Sequence, residues 1–92
     1  MKFTVSARTK AELVEIADYY GAIRPGLAVQ LTAAFDEACG RAVASPLVFR
    51  EREDGVRVVL LRRFPYRLRF QFNESRRTLR VLSLTHTARK PE

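Results

Sequence analysis

Residues 57–85 read RVVLLRRFPYRLRFQFNESRRTLRVLSLT, and the pattern of this segment indicates three β-strands. Within residues 66–72 every second residue is apolar and the residues between them are Arg or Gln, which is the period of a half-buried β-strand. The segments Arg57–Arg63 and Thr78–Thr85 have centres rich in Val and Leu, as strands do. Because short turns separate the three segments, the stretch predicts an antiparallel three-stranded meander.

The N-terminal half predicts one strand and two helices. Lys2–Ser6 contains β-branched residues and predicts a short strand. Thr9 and Glu12 have the spacing of a capping box, so the first helix is expected to begin near Thr9, with Glu12 in solvent. A second helix is predicted over about 25–44, and the short link between them predicts an antiparallel helix hairpin.

These elements predict a single domain over residues 1–92 with an α+β fold of order β-α-α-β-β-β. The N-terminal strand must join the meander in a four-stranded, mainly antiparallel sheet, while residues 49–55 are expected to form a loop. The helix hairpin covers one face of the sheet, so Arg67 and Arg69 should lie on the other. Arg80 and His86 have the same even-numbered alternation as Leu82 and Leu84, so the sequence does not decide whether Arg80 and His86 lie on the exposed face or the core face.

The positive charge of the chain lies in its second half. The whole chain has 17 Lys and Arg against 10 Asp and Glu, a net charge of +7. The formal charges of residues 1–46 sum to zero. Residues 47–92, which contain eleven arginines, therefore hold all of the excess positive charge. The planar guanidinium group suits carboxylates and phosphates, so an anionic partner is expected.

The residue inventory excludes several kinds of site. With one cysteine, Cys39, and one histidine, His86, the chain predicts no disulfide, no metal site and no cofactor. Cys39 falls within the second predicted helix, where a small buried side chain is expected. No stretch is long and apolar enough to span a bilayer, and no signal peptide is recognised, so a cytoplasmic protein without a membrane partner is expected.

One catalytic hypothesis fits the remaining residues. Cleavage of RNA through its 2′-hydroxyl requires a proton-transfer group and cations that stabilise the phosphorane. His86 would supply the first, and Arg67, Arg69 and Arg89 the second. The alternative is that the arginines form a solvated sheet face and that His86 has only a structural role.

Several motifs together resemble the RelE/ParE superfamily of toxins from type II toxin–antitoxin systems, also called plasmid stabilisation proteins. The resemblance covers nearly the whole chain. Its marks are AELVEI at 11–16 with Tyr19-Tyr20, a second helix that ends before Ser45-Pro46, RFPYRL at 63–68, and LRVLSL at 79–84 followed by His86 and Arg89.

The resemblance implies a growth-inhibiting toxin silenced by an acidic antitoxin encoded beside it. One branch of the superfamily inhibits DNA gyrase, and the other is a metal-independent endoribonuclease that cleaves mRNA on the ribosome. Arg67 matches the catalytic arginine of the nuclease branch. However, Val58 and Leu60 stand where that branch has lysines, and its terminal tyrosine is absent, so the gyrase-inhibiting branch is favoured.

The residues expected at the site follow from these alternatives. Arg67, His86 and Arg89 are the catalytic residues if the chain is a nuclease. The target or the antitoxin is expected to bind Arg57, Arg63, Arg67, Arg69, Arg80 and Lys90. A third hypothesis, a non-toxic RNA-binding module, is weakened because the aromatic residues of segment 66–72 share its predicted core face and would not be free to stack on bases.

Overall fold

The α+β fold predicted from the sequence is confirmed. A computed structural model of the chain describes residues 1–89. Its elements, in chain order, are β1 (Lys2–Val5), α1 (Ala7–Ile23), α2 (Pro25–Ala44), a short 3₁₀ turn (Pro46–Val48), β2 (Glu51–Glu53), β3 (Val56–Leu60), β4 (Tyr66–Asn73) and β5 (Thr78–His86). Within the described residues, no helix combines the length and the apolar character needed to cross a bilayer.

The sheet has five strands rather than the predicted four, in the order β1-β5-β4-β3-β2. β1 pairs with β5 in parallel, and the other pairs are antiparallel. The extra strand, β2, lies in the segment that was predicted to be a loop. Asp54 and Gly55 close the β2–β3 hairpin with φ values of 46° and 76°, the positive values that an Asp-Gly hairpin turn adopts. That dipeptide was the missed signal.

The core lies between the helix hairpin and one face of the sheet. On the helix side it is built around Leu31, Phe35 and Ala38 of α2, and on the sheet side around Leu68 and Phe70 of β4. Burying the apolar residues of β4 places the alternate residues of that strand on the opposite face. Within residues 1–89, no helix covers that opposite face, which carries the arginines of β4.

Helix α1 begins two residues before the predicted cap. Ser6, not Thr9, is the N-cap, because its Oγ accepts a hydrogen bond from the Thr9 backbone N–H at 3.1 Å. Thr9 is fully buried. The prediction that Glu12 is solvated was also wrong, since its carboxylate accepts a hydrogen bond from the Leu84 N–H at 2.8 Å. The capping-box spacing therefore misassigned both residues.

A β-bulge in β5 determines which residues face the helices. Arg69 pairs with Ser83, but the next residue, Phe70, pairs with Val81, so Leu82 is the extra residue. The Leu82 carbonyl accepts a hydrogen bond from Ser6 Oγ at 3.1 Å, which ties the bulge to the start of α1. One inserted residue reverses the alternation of β5. Odd-numbered residues face the core before the bulge, and even-numbered residues face it after the bulge.

Candidate functional site

The open side of the sheet carries three arginines, which we call the arginine face: Arg67, Arg69 and Arg80. Directly paired residues of neighbouring strands point to the same side. Arg80 pairs with Gln71, and Gln71 lies two residues from Arg69, which in turn lies two residues from Arg67. The predicted placement of Arg67 and Arg69 on the face opposite the helices therefore holds, although both are half-buried there, and the bulge adds Arg80 to the same side.

The arginine face is positively charged and open. Among the described residues, none of its three guanidinium groups has a carboxylate within 4.0 Å. Arg69 Nη1 is 3.4 Å from Ser83 Oγ, a long hydrogen bond to a neutral partner. Towards the β4–β5 hairpin the face continues into a depression of about 710 Å³, whose charged lining residues are three basic ones, Lys2, Arg76 and Arg80, and two acidic ones, Asp54 and Glu74. This surface is able to hold an anionic partner.

The structure does not bring the other predicted binding arginines to this face. Arg57 lies on the helix side, where Nη1 donates to the Phe49 carbonyl at 2.6 Å and Nη2 lies 3.1 Å from a Glu51 carboxylate oxygen. Arg63 occupies the β3–β4 turn with φ of 72° and lines an apolar pocket beside α2. Lys90 lies outside the described residues. The sequence could not predict the face on which Arg57 lies, because the apolar run that follows it, residues 58–61, does not alternate with polar residues.

His86 is on the opposite side of the sheet from Arg67. It pairs with Tyr66, whose ring is buried, and the two rings meet edge to face with centroids 5.3 Å apart. His86 Nδ1 accepts the Ala88 N–H at 3.0 Å. The ring also lines a pocket of about 300 Å³ with Glu15 and three tyrosines, Tyr19, Tyr20 and Tyr66. No pattern in the sequence predicts this aromatic pocket, because its formation depends on the bulge.

The guanidinium of Arg67 is bonded to the chain itself. Nη1 donates to the Arg89 carbonyl at 3.1 Å, and Nη2 lies 3.4 Å from the Thr87 carbonyl. Arg67 and Arg89 are therefore neighbours through the Arg89 backbone, while the His86 imidazole lies across the sheet. The three residues of the nuclease hypothesis do not converge on one face.

Comparison with known proteins decides the family. A family model described as the ParE toxin of the type II toxin–antitoxin system, parDE, matches residues 2–91. The chain belongs to the ParE toxin family. The predicted membership of the RelE/ParE superfamily is confirmed, and this ParE-family chain is the toxin component of a type II toxin–antitoxin system.

Two solved structures have a similar fold. One is the chromosomal ParDE toxin–antitoxin system from P. aeruginosa, with a TM-score of 0.77, 23% identity, and coverage of 94% of this chain and 95% of that one. The other is the RelBE2 toxin–antitoxin complex from Mycobacterium tuberculosis, with a TM-score of 0.60, 21% identity, and coverage of 92% and 95%. A comparison with curated proteins finds no match. Membership of the ParE toxin family supports an antitoxin as a partner of the chain.

Other chemistry has little support among residues 1–89 of the ParE-family chain. No group of three or more His, Cys, Asp and Glu side chains lies close enough to hold a metal ion. Burial raises the pKa of the Cys39 thiol to about 12, with a contribution from Asp36, so the thiolate is scarce at neutral pH. Phe70 is fully buried and Phe72 is partly buried, which leaves little of these rings for base stacking.

The buried Tyr66 predicts a loss of stability at alkaline pH. Burial, with a smaller contribution from a hydrogen bond with Tyr20, raises the pKa of Tyr66 from 10.0 to about 12. The unfolded chain then releases this proton at lower pH than the folded chain. The stability that the protonated Tyr66 hydroxyl contributes to the fold is therefore intact below pH 10 and is lost as pH rises from 10 towards 12.

The measurement is urea unfolding of wild type and Tyr66→Phe across that pH interval. Wild type is expected to lose stability more steeply than the variant between pH 10 and 12, while the two curves stay parallel below pH 10. Equal slopes above pH 10 would contradict the assigned role of the buried hydroxyl.

Proposed function

We propose that this chain inhibits bacterial growth by docking on DNA gyrase, and that an acidic antitoxin silences it. In this proposal the chain acts in the cytoplasm as a single domain over residues 1–92, without a cofactor. The toxin would also stabilise a replicon that carries it, because cells that lose the pair lose the antitoxin's protection. ParE family membership supports the proposal, and the arrangement of the candidate catalytic groups supports it further.

The separation of Arg67 from His86 is the observation that carries the choice of an inhibitor over a nuclease. A general acid or base must lie within hydrogen-bond reach of the atoms that react, and the cation that stabilises the phosphorane must contact the same phosphate. The His86 imidazole packs on Tyr66 on the helix side, whereas Arg67 belongs to the open side. A phosphate held by Arg67 would therefore lie across the sheet from the imidazole.

The acidic character of the antitoxin follows from the charge of the arginine face. Arg69 and Arg80 have no carboxylate partner within the described chain, and Lys2 extends the same surface. An extended acidic segment lying on this face would neutralise these charges. We therefore expect the adjacent reading frame to encode a short protein with an acidic segment, and a basic segment there would contradict this part of the proposal.

A ribosome-dependent endoribonuclease is the second candidate, favoured by one observation. Arg67, Arg69 and Arg80 share a face, and clustered guanidinium groups are suited to holding an RNA phosphate. In that mechanism Arg67 would stabilise the phosphorane, with His86 and Arg89 as the further predicted catalytic residues. The experiment below separates the two candidates.

The test is inducible expression in a bacterium, with mRNA integrity and plasmid supercoiling measured in the same culture. Gyrase inhibition predicts growth arrest, plasmid relaxation or DNA-damage induction, and intact mRNA during the first minutes. Purified gyrase should lose supercoiling activity when the chain is added and regain it when the antitoxin is added.

The His86→Ala variant is the matched probe for the second candidate. Rapid cleavage of ribosome-bound mRNA that disappears in His86→Ala and in Arg67→Ala would replace the gyrase proposal with the nuclease. Growth that continues during expression of soluble wild-type chain would contradict both candidates.

A further inference from the structure

We propose that Arg67 is a positioning residue that holds the C-terminal turn, Thr87–Arg89, against the end of the sheet. The role differs from the catalytic one that the resemblance implies for this arginine. Its importance for inhibition rests on the proposed function, but the structural role is independent of any target.

Two donors of one guanidinium reach two carbonyls of the same short segment. Arg67 Nη1 lies 3.1 Å from the Arg89 oxygen and Nη2 lies 3.4 Å from the Thr87 oxygen. A planar fork with donors in fixed directions is suited to bridging two acceptors in this way. The contact spans 20 and 22 residues of sequence, so it fixes the turn to β4 and not to its own flanks.

Among residues 1–89, few other hydrogen bonds hold the turn. The Thr87 N–H donates to the Pro65 carbonyl at 2.9 Å, and the Ala88 and Arg89 N–H groups donate to His86 at its Nδ1 and its carbonyl, both at 3.0 Å. Two of these three bonds lie within four consecutive residues and only shape the turn. Thr87, Ala88 and Arg89 are all exposed, so hydrophobic burial contributes little to holding them.

Arg69 provides a matched comparison on the same strand and face. It is also partly buried, but its hydrogen bond goes to Ser83 Oγ within the sheet, at 3.4 Å. Removing Arg69 therefore takes away the same charge without touching the turn. The pair Arg67→Ala and Arg69→Ala separates a positioning effect from a general effect of charge.

The position of the turn decides what the end of β5 offers to a partner. With Arg67 in place, the turn folds back over the end of β4, and the Arg89 backbone lies beside the arginine face. Without it, Arg89 loses a fixed position relative to that face. A surface that is ordered before binding loses less conformational entropy on docking. The hydrogen bonds from Arg67 to the turn should therefore strengthen inhibition of gyrase.

The experiment measures backbone ¹⁵N relaxation in the full chain, made by cell-free synthesis, for wild type, Arg67→Ala, Arg67→Lys and Arg69→Ala. The order parameters of the Thr87, Ala88 and Arg89 amides are expected to be about 0.8 in wild type and in Arg69→Ala. In Arg67→Ala they are expected to fall below about 0.6. Arg67→Lys should fall between them, because an ammonium group lacks the fork that spans two carbonyls. Circular dichroism of each variant checks that it is folded.

Order parameters in folded Arg67→Ala equal to those of wild type would overturn the proposal, as would an equal fall in Arg69→Ala. If Arg67→Ala does not fold, the comparison of Arg67→Lys with wild type decides in the same way. Because relaxation is measured without a target, failure of wild type to inhibit gyrase would reject the proposed function alone.

Discussion

Exchanging Arg69 and Arg80 for glutamate together is expected to weaken binding of the antitoxin by at least about a hundredfold. Both side chains lie on the arginine face, and neither has a carboxylate partner within the described residues. Reversal would place like charges against an acidic segment, and like-charge contacts across an interface cost several kcal/mol. Isothermal titration with the acidic protein of the adjacent reading frame measures the change. Arg67 is left intact so that the C-terminal turn stays in place.

The matched control is the Lys10→Glu, Arg24→Glu pair, which changes the net charge by the same amount. Both residues are exposed and belong to the helix side of the molecule, at α1 and at its junction with α2. We expect this variant to bind within about threefold of wild type at moderate salt, where distant charges are screened. Similar losses in the two variants would show that overall charge, and not the arginine face, governs binding.

Phe70→Ala is expected to lower the free energy of unfolding by about 3–5 kcal/mol. Phe70 is fully buried at the centre of β4, and its ring meets Phe49 edge to face at 5.9 Å. Truncation removes both the buried area and this contact and leaves a cavity between sheet and helices. A chain of 92 residues has a total stability of roughly 5–14 kcal/mol, so a large part of it would be lost.

Urea unfolding followed by circular dichroism measures this loss. Val29→Ala is the control, since that side chain on α2 is 72% exposed and is expected to change stability by no more than about 0.5 kcal/mol. A Phe70→Ala midpoint that matches the control would contradict the assignment of Phe70 to the core.

The alternation within residues 66–72 predicted β4 and both of its faces. Period-two patterning predicts the faces of a strand wherever one face is buried, because each residue then has only one favourable side. Arg67 and Arg69 followed directly from that rule. The helices follow from helical spacing and capping signals and not from period-two alternation, and the capping signals placed the start of the first helix at Thr9 instead of after Ser6.

The positions of His86 and Arg80 did not follow, because alternation holds only while register is uninterrupted. The bulge at Leu82 moves His86 to the helix side and leaves Arg80 on the open side. The Leu82 and Val81 carbonyls accept hydrogen bonds from Ser6, which lies more than 70 residues away in sequence. No pattern within residues 78–86 contains that information.

Local sequence was sufficient to predict the order of the elements apart from β2, the core face of β4 and the concentration of positive charge after residue 46. These depend on local periodicity and composition, which each segment has before it meets any other. The folded chain was needed to show which arginines share a surface, that Arg67 bonds to the C-terminal turn, and that His86 lies across the sheet. Those outcomes depend on strand register and on hydrogen bonds between distant segments, and both are fixed only when the sheet closes against α1.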